Sequence, residues 1–243
     1  MQAPSARPTV VFVPGFMQPG EAWAAVADRL PERYSSLLLD HSEQSFEGRL
    51  AEIARAGEGA VLCGYSLGGR LALHAALRSP SRYAGLVTVG VSAGIDAPAT
   101  RAARAEADEK MASWMETQAI EQIVTVWERQ PLFADQSEVL VESQRSGRLA
   151  QDPRGLALLL RTAGQGTLTP VWQRLRELGE LPVMAIAGAL DQRYSDAARR
   201  IAREAPNARA ETVESAGHAP HLQRPEVVAG LLLELLDENL GQV

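Results

Sequence analysis

The chain has 243 residues and a formal net charge of −6, from 24 Lys and Arg against 30 Asp and Glu, and 46% of it is hydrophobic. That length and apolar content suit one α/β domain with a sizeable core, whereas the acidic balance and the lack of a Lys/Arg block argue against nucleic acid or an anionic membrane as partner. The lone cysteine, Cys63, excludes an internal disulfide; no apolar run nears ~20 residues and residues 1–8 lack a charged-then-apolar leader, so a cytoplasmic protein without membrane insertion is expected.

In chain order, Val10 to Val13 is a short apolar run that stops at Pro14-Gly15, and Ser35 to Leu39 is another that stops at Asp40. Such runs suit strands buried on both faces of a parallel sheet. Between them, Glu21 to Leu30 places Trp23, Val26, Ala27 and Leu30 on one helical face. Phe46 to Ala56 repeats the pattern with Phe46, Leu50, Ile53 and Ala54. A third strand, Ala60 to Gly64, runs into Gly64-Tyr65-Ser66-Leu67-Gly68-Gly69 and a helix over Leu67 to Leu77; Gly85 to Gly90 is a fourth strand. Pro182 to Ala187 and Ala210 to Val213 are two more strands, separated by a helix around Ala197 to Glu204, and a final helix spans Pro225 to Leu236. The alternation predicts an α/β fold, a mostly parallel doubly wound sheet with helices on both faces and ligands at the strand C-terminal ends. It breaks between residues 92 and 170, where charged and Ala-rich helical segments carry no strand pattern. This stretch is expected to form a helical cap inserted in a core made of residues 1–91 and 171–243.

The strand-turn-helix around Ser66 fits a nucleophile elbow, G-x-S-x-G, in which a strained turn lifts the serine hydroxyl above the sheet. A serine needs an imidazole to take its proton, and the imidazole needs an acid to fix its tautomer. Asp191, in Gly188-Ala189-Leu190-Asp191, and His218, in Ser215-Ala216-Gly217-His218, each follow a downstream strand, in the order Ser, Asp, His. The remaining histidines fit less well: His41 follows an early strand, His74 lies within the elbow helix, and His221 is expected to help position the loop around His218. Two backbone N–H groups, of Leu67 and of Phe16 in Pro14-Gly15-Phe16, are the expected oxyanion donors. No His pair with a carboxylate at metal-ligand spacing and no phosphate or dinucleotide loop is present, so neither metal nor cofactor is expected.

These stretches together resemble an α/β-hydrolase from end to end, and more narrowly the 2-succinyl-6-hydroxy-2,4-cyclohexadiene-1-carboxylate synthases of menaquinone biosynthesis. Gly64 to Leu73, with Arg70 four residues past Ser66, is similar to that family's elbow. Trp127-Glu128-Arg129-Gln130-Pro131-Leu132-Phe133 is similar to a cap motif of the family, and Asp191-Gln192-Arg193-Tyr194 resembles its Asp-x-Lys-Phe. Gly217-His218-Ala219-Pro220-His221 completes the pattern. The resemblance implies a cofactor-free lyase that abstracts a ring proton and eliminates pyruvate from a multiply anionic small molecule. Ser66, His218 and Asp191 would be the catalytic groups; Tyr65, Arg70, Trp127 and the cap arginines Arg104 and Arg145 would bind substrate. A carboxylic-ester or C–C bond hydrolase with the same triad is the alternative, and monomer and homo-oligomer both stay open. The chain departs from the family in Pro14-Gly15, where His-Gly is usual, and in Asp40-His41-Ser42, where Asp-x-Pro-Gly-His-Gly is usual. It also has Ala189 and Gln223 where acidic residues are common.

Overall fold

A computed structural model describes residues 7–240. Its six strands are β1 (Thr9–Val13), β2 (Ser35–Leu38), β3 (Val61–Tyr65), β4 (Gly85–Val89), β5 (Val183–Gly188) and β6 (Ala208–Val213). They form one sheet in the order β2-β1-β3-β4-β5-β6, and every pairing is parallel. Because side chains alternate along a strand, the apolar runs feed two cores at once. Val11, Val13, Leu62, Leu86, Val183 and Ala185 pack on one face, against α2 (Phe46–Ala56), α3 (Leu67–Arg78) and α8 (Gln192–Glu204). Val10, Phe12, Val61, Cys63, Val87 and Met184 pack on the other, against Val26 of α1 (Ala24–Ala27) and Val228, Leu232 and Leu236 of α10 (Pro225–Leu240). Cys63 is fully buried, and burial pushes its thiol far above the ordinary range, which fits a small apolar core residue.

Between β4 and β5 the described chain is helical throughout its regular elements: α4 (Pro98–Met115), α5 (Ile120–Glu128), α6 (Glu138–Leu149) and α7 (Pro153–Ala163), with short 3-10 turns. Ala112, Met115, Ile123, Val124, Leu156 and Ala157 form a separate apolar cluster in this segment, joined by Met17 from the loop after β1. None of the described helices is long and apolar enough to cross a membrane.

Two elements differ most from the sequence pattern. The helix expected over residues 21–30 is a 3-10 turn, Gly20–Trp23, followed by the single α turn of α1. Tertiary anchors hold both ends of the turn: the Gly20 amide donates to Asp40 Oδ1 at 2.6 Å and the Trp23 indole to the Val13 carbonyl at 3.2 Å. Helix α8 begins five residues before the expected Ala197, because Asp191 caps it by accepting from the Tyr194 amide at 3.3 Å.

Candidate active site

Ser66 sits between β3 and α3 with φ 49° and ψ −111°, a backbone conformation that L side chains rarely adopt. The turn is tight enough that a Cβ on Gly68 would lie 2.3 Å from the Val13 and Pro14 carbonyl oxygens, and one on Gly64 would lie 2.6 Å from Gly68. Glycine at both positions lets the first turn of α3 press onto β1 and β3, while the Ser66 amide donates to the Val89 carbonyl at 2.8 Å. The serine is thereby fixed at the C-terminal edge of the sheet, at the N-terminus of a 12-residue helix whose dipole favours negative charge.

Asp191 and His218 arrive from the ends of β5 and β6. His218 Nε2 lies 3.1 Å from Ser66 Oγ, and its Nδ1 lies 2.8 Å from Asp191 Oδ2. A carboxylate accepts only, so the Nδ1 proton points to Asp191 and leaves the Nε2 lone pair for the serine hydroxyl. The imidazole is only 2% exposed and is packed by the rings of Tyr194 at 4.5 Å and Tyr65 at 5.3 Å between centroids. Two residues of α9 (Pro220–Gln223) brace the same loop. His221 is fully buried between Trp23 (4.4 Å) and Tyr65 (4.2 Å), and neither ring nitrogen has a hydrogen-bond partner. Burial, reinforced by the neighbouring His218, pushes it down to about 3, so it is a neutral packing ring. Gln223 Oε1 accepts from the Gly217 amide at 2.9 Å, and its amide donates to Asp135 Oδ2 at 2.8 Å.

Above these three residues lies a cavity of about 430 Å³ roofed by the helical segment. Phe16 and Leu67 line it, as do Tyr65 and Trp127, whose indole stacks at 5.0 Å on Phe16 and 5.7 Å on Phe133. Its charged lining is two carboxylates, Asp108 and Asp191, against four guanidiniums, Arg70, Arg104, Arg148 and Arg193. Arg70 donates to the Ala163 carbonyl at 3.0 Å and has no carboxylate partner among the described residues; burial pulls it down to about 10, so it stays charged. Arg104 pairs with Asp108 at 2.8 Å, one turn along α4.

Arg145 requires a correction. It does not line the cavity; it is ion-paired with Glu128 on α5, and Arg148, three residues on along α6, occupies the wall instead, 3.1 Å from the same carboxylate. Spacing of three puts both arginines on one helix face, and only the tertiary tilt of α6 decides which reaches the cavity. Sequence reasoning also passed over Gln18, Gln136, Tyr194 and Arg193 as lining residues. Arg193 and Tyr194 carried a signal, since they lie inside the Asp191 motif. Gln136 carried none, although its Oε1 is buried without a partner. No cluster of three metal-ligating side chains occurs among the described residues.

A family model described as "Alpha/beta hydrolase family" matches residues 10–231. The chain belongs to the alpha/beta hydrolase family. Within that family it is 29% identical to a Bacillus subtilis (strain 168) protein provisionally named 2-succinyl-6-hydroxy-2,4-cyclohexadiene-1-carboxylate synthase, over 97% of this chain and 92% of the relative. It is 28% identical to the protein of that name from Enterobacter sp. (strain 638), over 94% of this alpha/beta hydrolase and 92% of the relative. The solved structure of MenH from S. aureus superposes with a TM-score of 0.89 at 26% identity, covering 97% of this chain and 95% of that one.

Proposed function

We propose that the protein is a cofactor-independent lyase that eliminates pyruvate from a succinyl-cyclohexene-carboxylate intermediate in menaquinone biosynthesis, through a Ser66–His218–Asp191 triad beneath a helical cap formed by residues 92–170. The observation that carries this reading is the pairing, in one cavity, of an activated serine with four guanidiniums against two carboxylates. An esterase for neutral acyl chains has no need of that excess positive charge, whereas a substrate with several carboxylates does. The relatives' names point to the same reaction.

In this mechanism His218 Nε2 takes the Ser66 hydroxyl proton, Asp191 stabilises the resulting imidazolium, and the serine oxygen abstracts the acidic ring proton. The electrons of the broken C–H bond form the new ring double bond, the C–O bond to the leaving group breaks, and the proton held on the triad returns to the departing group, which leaves as pyruvate. Charge that delocalises onto the succinyl carbonyl is held by the amides of Phe16 and Leu67, each such donor being worth about 3–4 kcal/mol in comparable sites. Arg70, Arg104 and Arg148 hold the carboxylates, and Tyr65 and Trp127 wall the ring.

The test is release of pyruvate from the menaquinone intermediate, run beside cleavage of a p-nitrophenyl ester. Pyruvate release that falls on the order of 10⁴-fold in Ser66→Ala, with an unchanged circular dichroism spectrum, is the expected result. Rapid ester turnover without pyruvate release would reject the lyase and leave a hydrolase with the same triad.

A further inference from the structure

Three arginines from three elements converge on the C-terminal end of α7 and the short segment that follows it. Arg70 of α3 donates to the Ala163 carbonyl at 3.0 Å. Arg104 of α4 and Arg193 of α8 both donate to one atom, Gln165 Oε1, at 3.2 and 3.3 Å. Gln165 is 3% exposed, and its segment is held against α4 by Asp108, which accepts from the Gly166 amide at 3.4 Å and pairs with Arg104. Two guanidiniums on one neutral oxygen repel each other, and a carboxamide brings no charge to offset them. Asp108 serves Arg104 alone. Neither Arg70 nor Arg193 has a carboxylate partner among the described residues, yet both line the cavity.

We propose that Arg193, held beside Arg104 by the shared Gln165 oxygen, is a specificity-determining residue that takes one carboxylate of a dicarboxylate ligand at the α8 side of the cavity. Arg193 is two residues past Asp191 and its guanidinium stands 5.6 Å from the Tyr194 ring that packs on His218, so the carboxylate it holds fixes the ligand's position relative to Ser66. The ligand supplies the negative charge that Gln165 withholds, and a planar fork at Arg193 can grip it through two hydrogen bonds. This inference deepens the proposed function, since it rests on an anionic substrate in that cavity.

The experiment is calorimetric titration with 2-(3-carboxypropanoyl)benzoate, a stable aromatic dicarboxylate, and with its two monocarboxylate counterparts, benzoate and 4-oxo-4-phenylbutanoate. The unaltered protein should prefer the dicarboxylate to the better of the two monocarboxylates. In Arg193→Gln that preference should shrink about five- to ten-fold, and Arg193→Lys, which restores a point charge without the fork, should recover part of it. Gln165→Glu, which gives the pair an internal carboxylate, should shrink it as well. A preference that survives in Arg193→Gln, or a loss of affinity shared equally by all three probes, overturns the role of Arg193 and leaves the lyase reading standing. No preference in the unaltered protein overturns both.

Discussion

At the scale of single residues, the site depends on side chains held in positions that their chemistry alone disfavours. Ser66 keeps a positive φ because strand β3 and helix α3 fix the chain on either side of it. Arg70 keeps a part-buried guanidinium with one backbone acceptor, one helical turn from Ser66. Burial pulls it down to about 10, which still leaves it protonated at neutral pH. Removing it should therefore cost an anionic substrate a charge-assisted contact and cost a neutral ester little. Arg70→Ala is expected to lower kcat/KM for pyruvate release by roughly ten- to a hundred-fold, and ester cleavage far less. Equal losses on both substrates would remove its role in carboxylate binding. Asp191 has two jobs at once, since one oxygen caps α8 and the other holds His218. An Asp191→Asn change thus disturbs the tautomer of His218 more than the helix start.

At the scale of elements, one of the contacts between the roof and the floor of the cavity lies at the His218 loop. The stretch leading into α6 places Asp135 against the His218 loop, where its carboxylate accepts from Gln223 while Gln223 accepts from the Gly217 amide. A Cβ on Gly217 would run directly into the Asp135 carboxylate and meet nothing else closer. Gly217 has no positive φ, so alanine is conformationally acceptable there, and its nearest obstacle is the Asp135 side chain, which must shift and give up its bond from Gln223. Asp135→Ala and Gly217→Ala should each cost about 1 kcal/mol or less in urea unfolding, and the double variant should cost no more than either alone. Additive losses would mean that the contact does not join the two elements. Helix α6 teaches the same lesson for Arg145 and Arg148. Both pair with Glu128, but Arg148 lines the cavity wall and Arg145 stays outside it, part-buried.

At the scale of the whole molecule, burial leaves three histidines neutral. His41 and His74 are pushed down to about 4, with Arg49 and Arg70 respectively adding to burial, and His221 to about 3. In the unfolded chain each titrates near 6.5, so above that pH they contribute no slope. As pH falls below 6.5 the unfolded chain binds protons that the native one refuses, and stability drops by at most roughly 1.4 kcal/mol per pH unit for each histidine. The melting temperature is expected to fall between pH 6.5 and 4.5, and His221→Phe, which keeps the ring between Trp23 and Tyr65, should make the fall shallower; an unchanged slope would place the acid lability elsewhere. The sequence by itself determined the strands, because runs buried on both faces must be apolar. It also determined the elbow and the order Ser66, Asp191, His218, because strained turns and strand ends are written in glycines and polar residues that are local in the chain. It left the short helix after β1 too long and α8 too short, since a hydrogen bond from Gly20 to Asp40 and the choice of Asp191 as a cap are set by partners that no helical period encodes. Only the tertiary structure decided which arginines face the cavity. Charged residues on an exposed helix face and on a pocket wall share the same spacing, and the difference between Arg145 and Arg148, or between a surface Arg193 and one drawn to Gln165, lies in how elements separated along the chain pack against one another.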